Sequence, residues 1–235
     1  MAICRPSRCI HESLRPSTTK DVLNRRFDGC LLGDNADYGL TLPTAPSGAA
    51  SANIWSVEAE MKPIYLVTGI MASGKSTVAQ ALAARLARSV HVRGDTFRRF
   101  IVSGRAEMTL DPSDEARAQL RLRYELAAET ACRYVEAGFA VVLQDIVIGV
   151  DLTAMIARIR TRPLHVIVLA PAVQAVAARE AGRAKTGYGS MTPEDLDGAF
   201  RASTPRVGLW LDTTELSVEQ TVDYILGHPN SSRVQ

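Results

Sequence analysis

The sequence has few of the features that mark a secreted or membrane-spanning protein or one that coats nucleic acid. Cysteine is scarce, with four in 235 residues, three of them among the first thirty, so we expect no disulfide framework. No uncharged apolar run approaches the roughly 18 residues of a membrane span, and the N-terminus lacks the apolar core of a signal peptide. The formal net charge of +2 is too small to attract nucleic acid or an acidic membrane. These absences favour a cytoplasmic protein without a membrane or nucleic-acid partner.

The early cysteines raise the question of a zinc site. Cys4, Cys9 and Cys30, together with His11, would supply four ligands. Common structural zinc sites contain paired C-x-x-C cysteines, and that spacing is missing here. Unpaired thiols in a loose segment are the better interpretation.

The first part of the chain differs in pattern from the rest. Residues 1–60 show no sustained period of 2 or 3.6 and contain turn-forming clusters such as RPSTT and LPTAPSGAASAN, so we predict a poorly structured extension. The pattern changes at MKPIYLVTG, and we place the folded domain at 61–235. Met61 resembles a start site. The extension is then a mis-called start, a flexible leader or a targeting segment, and its acidic residues disfavour the last.

Apolar strands alternate with amphipathic helices through this domain. The predicted strands are Ile64–Thr68, Val90–Arg93, Ala140–Gln144, Leu164–Leu169 and Gly208–Leu211. The predicted helices are Lys75–Ala87, a short one from Thr96, a long one capped at Asp111–Pro112 and ending near Ala137, Val150–Thr161, Ala172–Ala181, one capped by Thr192 and Pro193, and one from the capping box Ser217–Gln220 to just before Gly227. Such alternation predicts an α/β fold in which helices cover both faces of a parallel sheet.

A phosphate-binding loop follows the first strand. The segment GIMASGKST, Gly69–Thr77, fits G-x-x-x-x-G-K-[ST] between a predicted strand and a predicted helix. Gly69 and Gly74 let the backbone curl so that its N–H groups face phosphate oxygens. We expect Lys75 to reach the β- and γ-phosphates and to act in catalysis, and the Ser76 hydroxyl to bind magnesium, so ATP and Mg²⁺ are the implied cofactors. The predicted nucleotide contacts are Gly69, Ala72, Ser73, Gly74, Lys75, Ser76 and Thr77.

A second polar segment, RGDTFRRF, follows the second predicted strand. It places Asp95 at the carboxyl edge of the sheet, where parallel sheets bind ligands. Arg98 lies three residues further on, and both side chains can face one cleft if a helix begins at Thr96. Asp95 would then take a hydroxyl proton while Arg98 holds the acceptor or a phosphate. The competing interpretation is that Asp95 only caps the helix.

A third carboxylate, Asp145, directly follows the strand Ala140–Gln144. An aspartate after a buried strand is typical of the Walker B motif, in which it holds magnesium, often through water. It is also common in ordinary loops. We predict Asp145 and Ser76 as the metal-binding residues.

The segment REAGRAKTGYG combines cations with glycines. Arg179, Arg183 and Lys185 beside three glycines suggest a lid whose arginines neutralise the transferring phosphoryl group. A solvated basic loop is the alternative. We predict catalytic roles for Arg179 and Arg183.

Other candidates receive no role from the sequence. Arg117, Arg121 and Arg123 lie on the long helix, where they could line an acceptor site, but they alternate with acidic residues, which is more typical of a solvated face. His91 and His165 lie on strands among valines and are expected to pack rather than to react.

From residue 64 to 226 the sequence resembles the chloramphenicol phosphotransferase-like kinases. The resemblance rests on the order of elements, GIMASGKST, GDTFRR, VVLQDI, the arginine-rich lid and WLDTTELSVEQTVDYIL. It implies a P-loop NTPase fold of the nucleoside-kinase type, with three αβα layers and five parallel strands. It also implies ATP-dependent phosphotransfer to the hydroxyl of a small molecule, antibiotic or metabolite. By this resemblance Asp95 matches the general base, and residues 211–214 lie near the adenine.

Two other acceptors and one other class of function stay open. The GDTFR turn is also similar to the D-x-x-R of zeta-toxin kinases, which act on nucleotide sugars, and of polynucleotide 5′-hydroxyl kinases. The second would need a basic groove that a net charge of +2 does not indicate. A nucleotide-binding regulator with slow ATPase activity is the third possibility, although a regulator needs no acceptor base. The oligomeric state is left open.

Overall fold

The computed structural model describes residues 62–109, 111–182 and 192–235. The predicted extension, 1–60, and the proposed boundary at Met61 lie outside these residues. The strands are β1 Ile64–Thr68, β2 Ser89–Arg93, β3 Ala140–Gln144, β4 Leu164–Leu169, β5 Leu209–Leu211 and β6 Arg233–Val234. The helices are α1 Lys75–Arg85, α2 Asp95–Arg99, α3 Asp114–Glu136, α4 Val150–Arg158, α5 Val173–Ala181, α6 Pro193–Ser203, α7 Val218–Gly227 and α8 Pro229–Ser232.

The strands form one sheet in the order β2-β3-β1-β4-β5. All four neighbouring pairs along this order are parallel, and β6 pairs with β4 in the antiparallel sense. From β1 the chain crosses to β2 at one edge of the sheet, and from β3 it crosses to β4 on the opposite side of β1. The carboxyl ends of β1 and β3 therefore form the crevice where parallel α/β sheets bind ligands.

Apolar side chains cover both faces of the sheet. On one face α1 and α7 pack through residues such as Leu82 and Ile225, which are fully buried. On the other face α3, α4 and α6 contribute Ala127, Leu152 and Phe200, also fully buried. Each of the larger of these side chains stabilises the fold by roughly 1.5–3 kcal/mol relative to exposure. The predicted α/β fold with helices on both faces is confirmed.

Two helices end earlier than the sequence predicts. α1 ends at Arg85, because Leu86 has extended backbone angles (φ −93°, ψ 137°). α4 ends at Arg158, because Ile159 is also extended (φ −77°, ψ 97°). Helical periodicity continues past both points in the sequence, so the pattern alone did not reveal these turns.

The starts of α2 and α3 also differ from prediction. α3 is capped by Ser113, whose hydroxyl accepts the Ala116 N–H at 3.1 Å, and not by Asp111. α2 begins at Asp95 itself and not at Thr96. By contrast, the five predicted strands are confirmed with boundaries that differ by at most one residue.

The C-terminal elements α8 and β6 were not predicted. β6 spans two residues, too few for a period of two to be visible. Next to it, His165 of β4 stacks on Tyr65 and lies 2.9 Å from the Ser232 hydroxyl. Burial lowers the pKa of His165, which fits the expected packing role.

Among residues 62–109, 111–182 and 192–235, no helix combines the length and the hydropathy that crossing a bilayer requires.

Candidate active site

A cavity of about 380 Å³ lies at the carboxyl edge of the sheet. Its walls include Lys75, Ser76, Asp95, Arg123, Asp145 and Arg179. Five of these six are residues that the sequence predicts, and Arg123 is the addition. The cavity therefore combines the loop after β1, the segment after β2, the end of β3 and two helices.

The loop between β1 and α1 has the curled backbone that its motif requires. Gly69 has a φ of 142°, and a Cβ atom at this position would overlap the Leu169 carbonyl oxygen and come within 2.9 Å of the Ser73 hydroxyl. Ala72 also adopts a left-handed φ, of 58°, which is unusual for a residue with a side chain. Only glycine fits at position 69, so the sequence at this point is fixed by backbone geometry.

The polar groups of this loop fit a nucleotide phosphate. The Ser73 hydroxyl is buried and has no hydrogen-bond partner in the described part of the chain. Lys75 is buried as well, and its ammonium donates to the Ile70 carbonyl at 2.6 Å, inside the loop. The loop also opens onto the N-terminus of α1, whose first turn contains no acidic residue. Because buried donors and a helix N-terminus favour negative charge, the loop suits a phosphate group.

Ser76 contacts a residue that the sequence analysis did not single out. Its hydroxyl donates to the Gln144 side-chain oxygen at 3.3 Å. Gln144 is buried at the end of β3, and its backbone is paired with Val67 of β1 and Arg93 of β2. Gln144 therefore helps to orient the Ser76 hydroxyl, whose predicted role in metal binding stays a prediction.

Asp145 lines the same cavity as Ser76 and is bound to Arg123. Arg123 Nε donates to Asp145 Oδ2 at 2.8 Å, and Arg123 Nη2 donates to Asp145 Oδ1. The Ile146 N–H donates to Oδ1 at 2.7 Å. The Asp145 side chain is 0% exposed and that of Arg123 is 13% exposed. Both carboxylate oxygens are thus already hydrogen-bonded, and the predicted magnesium role of Asp145 stays a prediction.

Gly94 makes room for this ion pair. A Cβ atom at position 94 would overlap the Asp145 carboxylate, although Gly94 itself has an ordinary right-handed backbone. Its N–H donates to the Gln144 carbonyl at 2.9 Å, which continues the pairing of β2 with β3. The close approach brings the start of α2 against the Arg123–Asp145 pair.

The structure separates the two residues predicted on α2. Asp95 reaches the cavity, where its half-exposed carboxylate accepts from Arg99 one turn later. Arg98 is paired with Glu107 instead and is not part of the wall. Asp95 and Arg98 therefore do not both line the cavity in this arrangement, because Arg98 is held by Glu107.

The predicted lid is described only in part. Arg179, near the end of α5, lines the cavity and donates to the Thr213 carbonyl at 3.0 Å. This bond ties α5 to residues 211–214, the segment expected near the adenine. Arg183 and Lys185 lie outside the described residues.

Comparison with known proteins places the chain in a family. A family model described as AAA domain matches residues 64–203, more than half of the chain. The chain belongs to this AAA domain family. No curated protein matches it at a significant level.

Solved structures share the fold of this AAA domain protein at low sequence identity. An APS kinase of Mycobacterium tuberculosis, in complex with AMPPNP and APS, is 18% identical, with 73% of this chain and 99% of that chain covered and a TM-score of 0.56. A sugar kinase of Janibacter sp. HTCC2649, without ligand, is 17% identical, with coverages of 72% and 95% and a TM-score of 0.55. The tunicamycin resistance protein of Deinococcus radiodurans is 17% identical, with coverages of 74% and 99% and a TM-score of 0.53. At such low sequence identity, the structural similarity establishes a common fold and nothing beyond it.

The family match and these structures together confirm the predicted P-loop α/β fold, which is a nucleotide-binding fold. The narrower resemblance to chloramphenicol phosphotransferase-like kinases stays a prediction. Two polar wall residues of this family member received no role from the sequence: Arg123 was considered but not assigned, and Gln144 was not singled out. Arg123 had a visible signal, because it lies seven residues after the buried Ala116 and four before the buried Ala127 on α3. These spacings put it on the packed side of the helix.

Proposed function

We propose that this protein transfers the γ-phosphate of ATP to a hydroxyl group of a small molecule. The observation that carries the proposal is the presence of Asp95 in the same cavity as Lys75 and Ser76. A nucleotide switch needs the loop, but it has no use for a half-exposed carboxylate in the same cavity. A phosphotransferase needs both, because the acceptor hydroxyl must lose a proton as it attacks.

The loop would hold the nucleotide. Backbone N–H groups of residues 69–77 and the buried Ser73 hydroxyl would bind phosphate oxygens. The Lys75 ammonium would exchange its bond to the Ile70 carbonyl for the β- and γ-phosphates. Ser76, oriented by Gln144, would bind magnesium, which neutralises charge on the phosphates when bound. For Asp145 a magnesium role would require an exchange of partners with Arg123.

Asp95 would act on the acceptor side. Its carboxylate accepts from Arg99, whose own side chain is 72% exposed, so water competes readily for this contact. Asp95 can therefore accept the proton of an incoming hydroxyl without breaking a buried ion pair. Arg98 would join as an acceptor contact after release from Glu107, which is 67% exposed.

Arg179 would act as the cation of a closing lid, with Arg183 as the second. Arg179 already lies at the cavity and is tied to the segment expected near the adenine. Its positive charge would stabilise the oxygens of the transferring phosphoryl group. Two proteins of similar fold are named as an APS kinase and a sugar kinase, and these names support a small molecule as the acceptor.

The resemblance to chloramphenicol phosphotransferase-like kinases supports an antibiotic-like or metabolite acceptor, and a nucleotide sugar is the alternative. We also propose that residues 1–60 are dispensable and that the protein works in the cytoplasm. A protein beginning at Met61 should melt at the same temperature as the full chain, and Mg–ATP should raise the melting temperature of both by the same amount. A loss of that gain would contradict this part of the proposal.

The direct test is a screen of the purified full chain with ATP and magnesium against hydroxylated metabolites, antibiotics, nucleotide sugars and oligonucleotides. We expect acceptor-dependent formation of ADP and of a phosphorylated product with a small molecule. ATP turnover that no acceptor alters would contradict the proposal and favour a nucleotide-binding regulator.

A further inference from the structure

The Arg123–Asp145 pair points to the chemistry of the acceptor. We propose that Arg123 is an acceptor-binding residue that holds an oxyanion of the substrate beside Asp95, with Asp145 as its positioning residue. The acceptor then carries a phosphate, carboxylate or sulfate group in addition to the hydroxyl that is phosphorylated. This inference rests on the proposed phosphotransferase function and specifies its substrate class.

The geometry of the pair leaves part of Arg123 for a ligand. Asp145 occupies Nε and one N–H of Nη2, which is one edge of the guanidinium. A guanidinium has five N–H donors, and within the described ranges no other hydrogen-bond partner of Arg123 is found. Since Arg123 lines the cavity, its remaining edge is where an oxyanion can receive two parallel hydrogen bonds.

The pair is poorly explained as a stabilising device. Burying a carboxylate and a guanidinium costs desolvation energy that their attraction often only offsets, so apolar residues would serve the fold as well. Burial indeed lowers the pKa of Arg123. The positive charge of Arg123 in the cavity wall is explained if an anionic ligand binds there.

The surroundings favour an anion. Asp95 lines the same cavity as Arg123, and Arg98 lies three residues after Asp95 on α2. Arg98 lies outside the cavity wall, and its partner Glu107 is exposed, so Arg98 is a second cation that an anion in this cavity would attract. With Asp95 next to it, the hydroxyl and the oxyanion of one small molecule would be held together.

Asp145 and Gly94 keep Arg123 in place. The Asp145 carboxylate is fixed by the Ile146 N–H, and Gly94 allows α2 to pack directly on it. The guanidinium therefore has one orientation, which reduces the entropy lost when a ligand binds.

Inorganic phosphate, titrated into protein saturated with Mg–AMPPNP, tests the site without a known acceptor. The nucleotide fills the phosphate loop, so phosphate reports on the remaining anion site. We expect binding to the wild type and to Arg121→Gln, the control from the exposed side of α3, and at least about tenfold weaker binding to Arg123→Gln. No binding to the wild type, or equal binding to the two variants, would overturn the inference. Acetate and sulfate titrations show which oxyanion is preferred.

A second variant separates binding from folding, because Arg123→Gln leaves the buried Asp145 without its partner. The double variant Arg123→Gln, Asp145→Asn removes both charges and retains groups that can hydrogen-bond to each other. If Arg123 binds the ligand, the double variant regains the melting temperature but not phosphate binding. If the pair is merely structural, both return, and the inference fails.

Failure of the proposed function would look different. In that case the wild type transfers no phosphate to any acceptor, whereas the contrast between Arg121→Gln and Arg123→Gln in phosphate binding persists. Conversely, a kinase that phosphorylates uncharged acceptors with the same KM in the wild type and in Arg123→Gln retains its function and contradicts the oxyanion site.

Discussion

The proposed nucleotide side and the proposed acceptor side of the cavity are built in different ways. The nucleotide side comes from one continuous segment, residues 69–77, whose conformation follows from its own glycines and from the start of α1. The acceptor side is assembled from Asp95, Arg123 and Asp145, which belong to three separate parts of the chain and meet through the pairing of β2 with β3. The nucleotide side is thus specified locally, whereas the acceptor side depends on tertiary contacts. Substitutions should accordingly separate ATP binding from acceptor use.

The largest separation is expected for Asp95→Asn. The amide keeps the size of the side chain but cannot take a proton, so phosphotransfer should fall by about 10² to 10⁴. ATP affinity and melting temperature should barely change, because Asp95 is half-exposed and its ion pair with Arg99 lies at the surface. Steady-state kinetics with an acceptor, beside a nucleotide titration, measure both quantities. Full phosphotransfer in this variant would remove Asp95 from the mechanism.

Lys75→Ala tests the nucleotide side. The ammonium charge should act most strongly on the transferring phosphate, so kcat should fall at least ~10²-fold at saturating Mg–ATP. Acceptor binding, measured by equilibrium titration, should change much less. Near-normal turnover would show that the loop does not work as proposed.

Asp145→Asn distinguishes the two roles open to this carboxylate. If Asp145 is the partner of Arg123, the substitution should lower the free energy of unfolding by about 3 kcal/mol, because the buried Arg123 loses its counterion. The kinetic defect should then not depend on the magnesium concentration. As a magnesium ligand it should instead give a defect that shrinks as magnesium rises. Chemical unfolding and a magnesium series in the activity assay decide between them.

Gly94→Ala should damage the acceptor side alone. The added methyl group meets the Asp145 carboxylate, so we expect a loss of about 1–3 kcal/mol in unfolding free energy and a raised KM for the acceptor. Gly198→Ala on α6 is the matched control, because its Cβ atom meets open space and alanine favours helices. Equal stability of the two variants would contradict the close packing described for Gly94.

The smallest effect is expected for Arg179→Ala. Its contact with the phosphoryl group would form on closure, so kcat should fall roughly tenfold, with ATP affinity reduced less. The same split is expected for Arg183→Ala. A loss of ATP affinity with unchanged kcat, in nucleotide titrations and saturation kinetics, would mark these arginines as ordinary binding residues.

The sequence predicted what local patterns encode and missed what only folding brings together. The five parallel strands and the phosphate loop follow from period, flanking elements and glycine positions. Arg123 was assigned to a solvated face because its neighbours in sequence are charged, although its spacing from Ala116 and Ala127 places it on the packed side of α3. Gln144 gave no motif, since its contact with Ser76 arises from strand register.

The fate of the γ-phosphate tests the central claim most directly. With ATP labelled at the γ-position, phosphate bound to the acceptor and phosphate released into water can be counted in the same reaction. The account predicts that a suitable acceptor receives most of the label, that Lys75→Ala stops both products, and that Asp95→Asn selectively loses the transferred one. Release of inorganic phosphate at one rate, whatever acceptor is present, would contradict it.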